Sequence, residues 1–284
     1  MELWIFYNHK MQHQQPSCYA FAAGALNHGV NVRHLLARHF YQKKDKGSPD
    51  MVVIFGTGSV ELGTNALIKQ HIVNWCIQRK IQFVIIEEGH IKRGEYWNVT
   101  IGGLLKDGRY THPDIDLNRI DSVTKFKPFE WSGDQILLCR QIPRDAAVRG
   151  FVTTDQYENW IQSIVNQLFP YPLKIREHPR ITATKGYKTD PPLEIELEHT
   201  RMVITYSSTS ATDAIVHGVP VYIEQEKHLA SELSIPLNKI DDEESLPSFE
   251  KQHRVLNEVV HAQWSLYEMQ SGKCWEHIMK IIRS

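Results

Sequence analysis

The segment 173–224 constrains the fold more than any other part of the chain, because strand and helix patterns alternate in it over short distances. It predicts strands at residues 173–176, 202–206 and 219–224, and a helix at residues 211–217 that Gly218 ends. Such alternation is typical of an α/β unit with a parallel sheet. Parallel sheets bind ligands just beyond the carboxyl ends of their strands. We therefore expect a ligand site where these strands end.

Hydroxyl and basic side chains collect at these strand ends. Residues 207–210 read Ser-Ser-Thr-Ser, and any of them can cap the helix and leave backbone N–H groups facing outward. A helix N-terminus carries partial positive charge, so a phosphate fits there. Arg176, His178 and Arg180 lie at the end of the preceding strand. The pattern predicts an anion site; the alternative is that Ser207 is only an N-cap and that the basic residues are solvated.

The composition is that of a soluble globular protein, since 42% of the 284 residues are hydrophobic and 23% are charged. The length suits one large domain or two domains of about 140 residues each. The formal net charge is −1. No global field therefore attracts nucleic acid or anionic lipid, and any basic site must be local.

The cysteines indicate a reducing compartment. They are far apart and form no C-x-x-C pair, at Cys18, Cys76, Cys139 and Cys274. This usage is typical of reduced, buried thiols in a cytoplasmic protein. No apolar run approaches the roughly 18 residues that cross a membrane, and the N-terminus lacks the basic region of a signal peptide. We expect a cytoplasmic protein without a membrane span.

Both halves of the chain alternate strands with helices, which predicts two Rossmann-like domains that face each other across a cleft. The first half has apolar strands at residues 51–55 and 81–86, and the second series starts at residues 135–139. The pattern between them is irregular, and we place the linker at residues 126–134. The predicted parts are an N-terminal domain, a C-terminal domain and C-terminal helices that pack back on the fold, at residues 1–130, 131–250 and 251–284.

Two local patterns support this organisation. Ser265 and Glu268 have the spacing of a helix capping box. Trp75, Trp160 and Trp264 stand at helical spacing among apolar neighbours, so we predict that they belong to the core.

The first half offers weaker candidates for a site. Gly56 and Thr57 follow a strand, but the glycine pattern lacks a phosphate-loop lysine, so a tight turn is the better interpretation. Glu87 and Glu88 end a buried strand, where a carboxylate can be a general base or a solvated charge. Tyr96 and Trp97, beside Lys92 and Arg93, either stack on a sugar or base or pack in the core.

No metal site is predicted. Asp114 and Asp116 form a D-x-D pattern in a turn-rich loop, where paired aspartates are common and no further ligands are visible. His9 and His13 have the spacing of a helical metal pair but lie in a predicted loop.

Four segments together resemble the capsule-polysaccharide and Kdo-type glycosyltransferases. Residues 138–148 resemble their GQ…DAS segment, and residues 176–179 resemble their R-x-H-P motif. Residues 207–221 are similar to their nucleotide-binding unit, and residues 86–93 to their E-x-G-x-x-R segment. This sequence departs from the pattern at Asp213 and Arg140, where the family more often has glutamate and glycine. The tail at 262–275 resembles small bacteriophage-encoded proteins of this kind.

The resemblance implies a GT-B glycosyltransferase that binds a nucleotide sugar of UDP or CMP type on the C-terminal domain and an acceptor on the N-terminal domain. It implies neither a metal nor another cofactor. His178 would stabilise the leaving phosphate, and Glu88 would deprotonate the acceptor hydroxyl. The implied donor-binding residues are Gln141, Asp145, Arg176, His178, Ser207, Ser208, Thr209, Ser210 and Asp213. The acceptor-binding candidates are Gly56, Thr57, Lys92, Arg93, Tyr96 and Trp97.

The acceptor follows from the phage-like tail, which favours a hydroxymethylated pyrimidine in double-stranded DNA. Lys92, Arg93 and three further lysines, Lys43, Lys44 and Lys46, would contact phosphates beside a flipped base. Three alternatives stay open: a transferase that builds a bacterial surface glycan, a sugar-nucleotide epimerase, and a nucleotide-binding module without catalysis. The sequence predicts no oligomeric state.

Overall fold

Two separate β-sheets organise the chain. The structure is a computed structural model. It describes residues 1–7, 14–40, 47–56, 64–143, 148, 151, 153–179, 181 and 190–284, with only the backbone described at 64–66. One unit comprises Met1–Asp116 and Glu258–Ser284, and the other comprises Leu117–Asn257. We call them unit 1 and unit 2.

Unit 1 is built on a six-stranded sheet with the strand order β10-β5-β4-β3-β1-β2. The strands β1 to β4 are parallel to one another, whereas β5 is antiparallel to both β4 and β10. Their bounds are Glu2–Tyr7 (β1), Asn31–Leu36 (β2), Met51–Phe55 (β3), Gln82–Glu88 (β4), Tyr96–Ile101 (β5) and Gln263–Ser265 (β10).

Helices cover both faces of this sheet. This follows because successive residues of each central strand are apolar and point to opposite sides of the sheet. The helices are α1 (Gln15–Asn27), α2 (Thr64–Arg79), α8 (Leu266–Gln270) and α9 (Lys273–Arg283). Val53 packs in one cluster with residues of α1 and α9, and Ile54 packs in the other with residues of α2. Trp275 of α9 meets Phe21 of α1 edge to face at 5.8 Å between ring centroids. The C-terminal helices pack back on the fold as predicted.

Unit 2 has a four-stranded, fully parallel sheet with the order β7-β6-β8-β9. Its strands are β6 (Gln135–Cys139), β7 (Leu173–Arg176), β8 (Thr200–Thr205) and β9 (Val221–Ile223). Its helices are α3 (Arg119–Val123), α4 (Thr154–Gln167), α5 (Leu193–Leu197) and α6 (Ser210–Val216). The helix α7 (Phe249–His261) contains the second boundary, after Asn257. Tyr157 and Trp160 of α4 pack on apolar residues of β6 and β8.

Each sheet contains a topological switch point. The chain passes from β1 to β2 on one side and then returns to β3 on the other side of β1. In unit 2 it passes from β6 to β7 and then returns to β8 on the other side of β6. Ligands of open α/β sheets bind in the crevice at the carboxyl ends of the strands that flank such a point. The two crevices are therefore the expected positions of a ligand site.

The α/β fold with two Rossmann-like units is as predicted, and Trp75, Trp160 and Trp264 are buried. The first boundary falls at Asp116/Leu117, before the predicted linker at 126–134. The physical reason is that this segment bonds to the end of α6: Lys127 N–H donates to Val216 O at 3.0 Å, and Glu130 N–H to Gly218 O at 3.0 Å. None of the described helices is long and apolar enough to cross a membrane.

Candidate functional site

In unit 2, the loops after β6 and β8 are joined across the switch point by one glutamine. Ser207 N–H donates to Gln141 Oε1 at 2.8 Å, and Gln141 Nε2 donates to Ser207 Oγ at 3.2 Å. Both residues are buried. The Gln141 N–H itself donates to Tyr157 Oη of α4 at 2.8 Å. Gln141, a predicted donor-binding residue, thus fixes the position of the hydroxyl-rich turn.

That turn, residues 207–210, has used most of its backbone N–H groups within the protein. Ser208 N–H donates to Thr205 Oγ1 at 3.2 Å, and Ser210 N–H donates to Ser208 Oγ at 3.2 Å. Thr209 is the N-cap of α6 and makes no side-chain cap. Within the described part of the chain, its N–H has no protein partner. The predicted row of outward N–H groups is reduced to the one at Thr209.

The Ser210 hydroxyl faces inward. Its oxygen is buried near the Cys139 thiol at the end of β6. Burial raises the pKa of the Cys139 thiol to about 12, and the nearby Ser210 hydroxyl and Arg176 cation oppose this shift. The four cysteines are free and buried, in line with the prediction of reduced thiols. Ser210 therefore contributes to packing under the turn.

The guanidinium of Arg176 is bound to a buried carboxylate. Its Nη1 lies 3.0 Å from Glu196 Oε2 and donates to Pro191 O at 2.7 Å. Lys174 Nζ contacts the other carboxylate oxygen at 2.7 Å. Glu196 on α5 is 5% exposed, and a buried carboxylate needs such cations nearby. In this structure the predicted phosphate ligand Arg176 holds α5 against β7.

Arg140, which stands where the resembling family has glycine, connects three elements. Its Nη1 lies 2.8 Å from Glu177 Oε1 after β7, and its Nη2 pairs with Glu158 of α4. His178 follows as a half-buried residue whose carbonyl accepts from Ile181 N–H at 2.8 Å. These contacts explain how the sequence tolerates an arginine at this loop.

Asp213 lies in the first turns of α6 and is half-buried. Its carbonyl accepts from the His217 N–H at 3.1 Å and contacts His217 Nδ1 at 2.8 Å. The predicted donor-binding residue Asp145 lies outside the described residues, as do Arg180, Thr57, His9, His13, Lys43, Lys44 and Lys46.

In unit 1, a charge pair lies at the carboxyl edge beside Gly56. A Cβ atom built on Gly56 would lie 3.3 Å from Glu87 Oε1 and 3.5 Å from Lys69 Nζ. Gly56 has a φ of +61° and donates its N–H to Ile86 O at 2.7 Å, next to the pairing of β3 with β4. The rest of the predicted tight turn lies outside the described residues. Burial lowers the pKa of Lys69, while Glu87 and Cys18 oppose this shift. Lys69 was missed because a lone lysine on an apolar helix pattern reads as a solvated side chain.

Glu87 and Glu88 point to opposite faces of the sheet because successive residues of a strand alternate. Glu87 shares the face of Phe83 and Ile85, on which α2 and Lys69 lie. Glu88, the predicted base, is half-buried on the face of Val84 and Ile86. Only Glu87 joins the charge pair at Gly56.

The turn between β4 and β5 presents Lys92 and Arg93 as exposed cations, and Lys92 has a φ of +50°. Tyr96 is half-buried. Trp97 is 7% exposed and packs in the core of unit 1, so its indole does not form an exposed stacking surface. The side chain of Trp97 points to the face of β5 on which α8 and α9 pack. Of the two predicted stacking residues, Tyr96 is therefore the one that stays partly exposed.

Metal ligands do not converge in the part of the chain that the structure describes: no group of three or more His, Cys, Asp or Glu side chains is arranged to hold an ion. Asp114 Oδ2 lies 3.6 Å from His112 Nδ1, and the Asp114 side chain is exposed.

Comparison with solved structures identifies the fold. A β-Kdo 2,4 transferase, KpsC of Thermosulfurimonas dismutans, aligns with a TM-score of 0.55 at 12% identity over 90% of both chains. The β-Kdo 2,7 transferase KpsC of the same organism aligns with a TM-score of 0.54 at 11% identity over 100% of both chains. An α-glucosyltransferase solved with UDP and a 13-mer DNA containing a HMU base reaches only 0.36, too low to support an argument.

No protein-family model matches the chain, and no curated protein matches its sequence. At identities this low, the structural likeness identifies the fold alone. It agrees with the resemblance to capsule-type transferases read from residues 86–93, 138–148, 176–179 and 207–221. The chain has the two-domain α/β fold of the GT-B type, and the capsule-type Kdo transferases are its structural neighbours.

Proposed function

We propose that the protein is a glycosyltransferase that moves a sugar from a nucleotide-sugar donor to a hydroxyl acceptor. The observation that carries this proposal is the bridge between Gln141 and Ser207, which fixes a hydroxyl-rich turn at the switch point of unit 2. Ligands of open α/β sheets bind at this position. The proposal is also supported by the two Kdo transferases, which carry out this kind of chemistry on a similar fold.

Unit 2 would bind the donor, a nucleotide sugar of UDP or CMP type. The Thr209 N–H and the Ser208 hydroxyl would donate to the phosphate, and His178, in the loop after β7, would contribute from the same carboxyl edge of the sheet. Hydrogen-bond donors that are fixed before the reaction stabilise the negative charge of the departing phosphate. This mechanism uses no metal ion. Arg176 is paired with Glu196 of α5, so it would bind the phosphate directly only if it left Glu196.

Unit 1 would bind the acceptor, with a carboxylate at the end of β4 as general base. Glu88 is the base implied by the resemblance, and Glu87 beside Lys69 is the alternative at the same strand end. Glu88→Gln and Glu87→Gln are isosteric changes that remove a proton acceptor without removing volume. The variant of the true base should lose transfer while it still binds nucleotide, and the other should retain most of its activity.

Two acceptor classes follow from different observations. The exposed Lys92 and Arg93 beside the half-buried Tyr96 favour a phosphate-bearing acceptor, namely hydroxymethylpyrimidine in double-stranded DNA. The two Kdo transferases with the same fold favour a saccharide acceptor, as in a surface glycan. Transfer is expected from one donor to one of these acceptors.

The first test is thermal stabilisation by CMP, UDP and GDP and by their sugars, followed by product analysis with each acceptor. A ligand at about 100 times its dissociation constant adds roughly 2.7 kcal/mol. Labelled sugar on hydroxymethylated duplex DNA, or on a Kdo-terminated oligosaccharide, would identify the acceptor. A nucleotide sugar that is converted without any acceptor would mean an epimerase. Binding without turnover would mean a non-catalytic module, and a failure to bind any nucleotide would refute the proposal.

A further inference from the structure

The turn after β4 is held by a glutamine from the other end of the chain. Gln263 of β10 is fully buried, and its Oε1 accepts from His90 N–H at 2.5 Å and from Ile91 N–H at 2.8 Å. Its Nε2 donates to Ile91 O at 3.3 Å. One amide group therefore satisfies three backbone groups of the segment that connects Glu88 to Lys92.

The same turn is fixed from its other side by β5. Gly89 N–H donates to Tyr96 O at 3.0 Å, and a Cβ atom built on Gly89 would lie 2.6 Å from that oxygen. Glu95 N–H and Tyr96 N–H both donate to Lys92 O, at 2.9 and 3.2 Å. These bonds fix the two ends of the turn, at Gly89 and Lys92. The bonds of Gln263 fix its middle, at His90 and Ile91.

The register of the sheet explains why a glutamine reaches this place. Gln263 lies opposite Asn98 of β5, and Asn98 lies opposite Glu87 of β4. A buried amide in such a row costs free energy unless its polar atoms are bonded. An apolar residue would fill the same core volume at lower cost, so the hydrogen bonds to the turn are what the glutamine adds.

We propose that Gln263 is a positioning residue for glycosyl transfer, which holds the turn 89–93 so that the carboxylate that serves as base at the end of β4 and the cations Lys92 and Arg93 meet the acceptor. This inference rests on the proposed function and deepens it. Gln263 touches no reacting atom, and it acts through the backbone of His90 and Ile91. Displacing a positioning element by about 1 Å costs on the order of 100-fold in rate.

The test compares Gln263→Leu with a matched control on the preceding helix. Gln252 of α7 is equally buried and also bonds backbone carbonyls, those of Lys127 and Ile215 at 2.8 and 2.9 Å, within unit 2. Both leucine variants lose a buried amide. Only Gln263→Leu is expected to lower kcat/KM for the acceptor, by about 10- to 100-fold, while nucleotide binding by thermal shift stays unchanged. Equal acceptor kinetics in the wild type and Gln263→Leu would overturn the proposal.

Gln263→Glu keeps the proposal testable if the leucine variant does not fold. The ionised carboxylate can accept from both N–H groups but cannot donate to Ile91 O, whereas the protonated acid can do both. The activity of Gln263→Glu relative to the wild type at the same pH should therefore rise as the pH falls. A ratio that does not change with pH would contradict a positioning role, since a purely structural defect has no such profile.

The failure of the proposed function would be recognised separately. If the wild type transfers sugar to neither duplex DNA nor the oligosaccharide, glycosyl transfer is refuted. Amide hydrogen exchange then decides whether Gln263 holds the turn: exchange at residues 90 and 91 should be faster in Gln263→Leu, which removes the acceptor of both N–H groups, than in the wild type. Unchanged exchange at these two amides would overturn the inference as well.

Discussion

At the scale of single residues, Thr209 N–H offers a direct test of the donor site. Its φ of −61° already suits proline. Thr209→Pro removes the N–H with little change to the backbone, and Thr209→Ala removes the side chain but retains the N–H. Because a hydrogen bond to a charged group contributes about 1.5–3 kcal/mol, the proline variant should bind the nucleotide about 10- to 100-fold more weakly than the alanine variant.

Calorimetric titration of both variants with the nucleotide that stabilises the wild type would measure this difference. Circular dichroism would confirm that the proline variant is folded. Equal affinities would mean that the phosphate does not bind at the start of α6, and that the turn 207–210 serves only to begin that helix.

His90 makes stability depend on pH. Burial, aided by the Arg93 cation, lowers its pKa from 6.5 to about 4. Between these values the unfolded chain binds a proton that the folded chain excludes, so the free energy of unfolding falls as the pH falls through this window. From about pH 7 to about pH 5 the loss attributable to His90 is about 2 kcal/mol.

Urea unfolding at several pH values would measure this effect. His90→Gln should lose about 2 kcal/mol less than the wild type over the same pH interval, whereas His71→Gln, at an exposed position, controls for the removal of a histidine. If His90→Gln and the wild type lose the same stability, His90 is protonated in the folded protein.

At the scale of elements, the capping box at α8 is both predictable and testable. Ser265 Oγ accepts from Glu268 N–H at 3.2 Å, and Ser265 N–H donates to Glu268 Oε2 at 2.9 Å. Ser265→Ala should lower the free energy of unfolding by about 1 kcal/mol, the usual contribution of a cap. Chemical denaturation would measure it against Ser122→Ala, whose exposed hydroxyl bonds Arg119 O within α3. An equal effect of both changes would contradict the capping role.

Local sequence patterns predicted the elements well where the signal lies within a few residues. The strands β3, β6 and β7 begin and end where the apolar pattern placed them. The strands β2 and β10 were missed. β2 carries polar and basic side chains at the sheet edge, where it needs little burial, and β10 lies within the segment 251–284 that was predicted as helices. Its strand character comes from pairing with β5, which no local pattern contains.

At the scale of the whole molecule, the sequence predicted the two α/β units because strand and helix alternate in both halves. It identified the segments that meet at the carboxyl edges, such as the turn at Ser207. It could not predict the partners there: Arg176 binds Glu196, and Lys69 lies by Glu87. These pairs join residues from separate elements, and their geometry depends on packing. The return of residues 258–284 to unit 1 is likewise set by tertiary contacts.

The assignment of one substrate to each unit leads to a prediction for hydrogen exchange of the whole chain. A nucleotide that binds unit 2 should slow exchange most strongly in peptides that cover the ends of β6 and β8, at residues 139–141 and 205–210. Peptides from β5 at residues 96–101 serve as the internal control, since they lie in unit 1. At about 100 times the dissociation constant the local protection should approach roughly 2.7 kcal/mol. Protection centred on residues 87–93 instead would assign the donor to unit 1 and reverse the proposed roles of the two units.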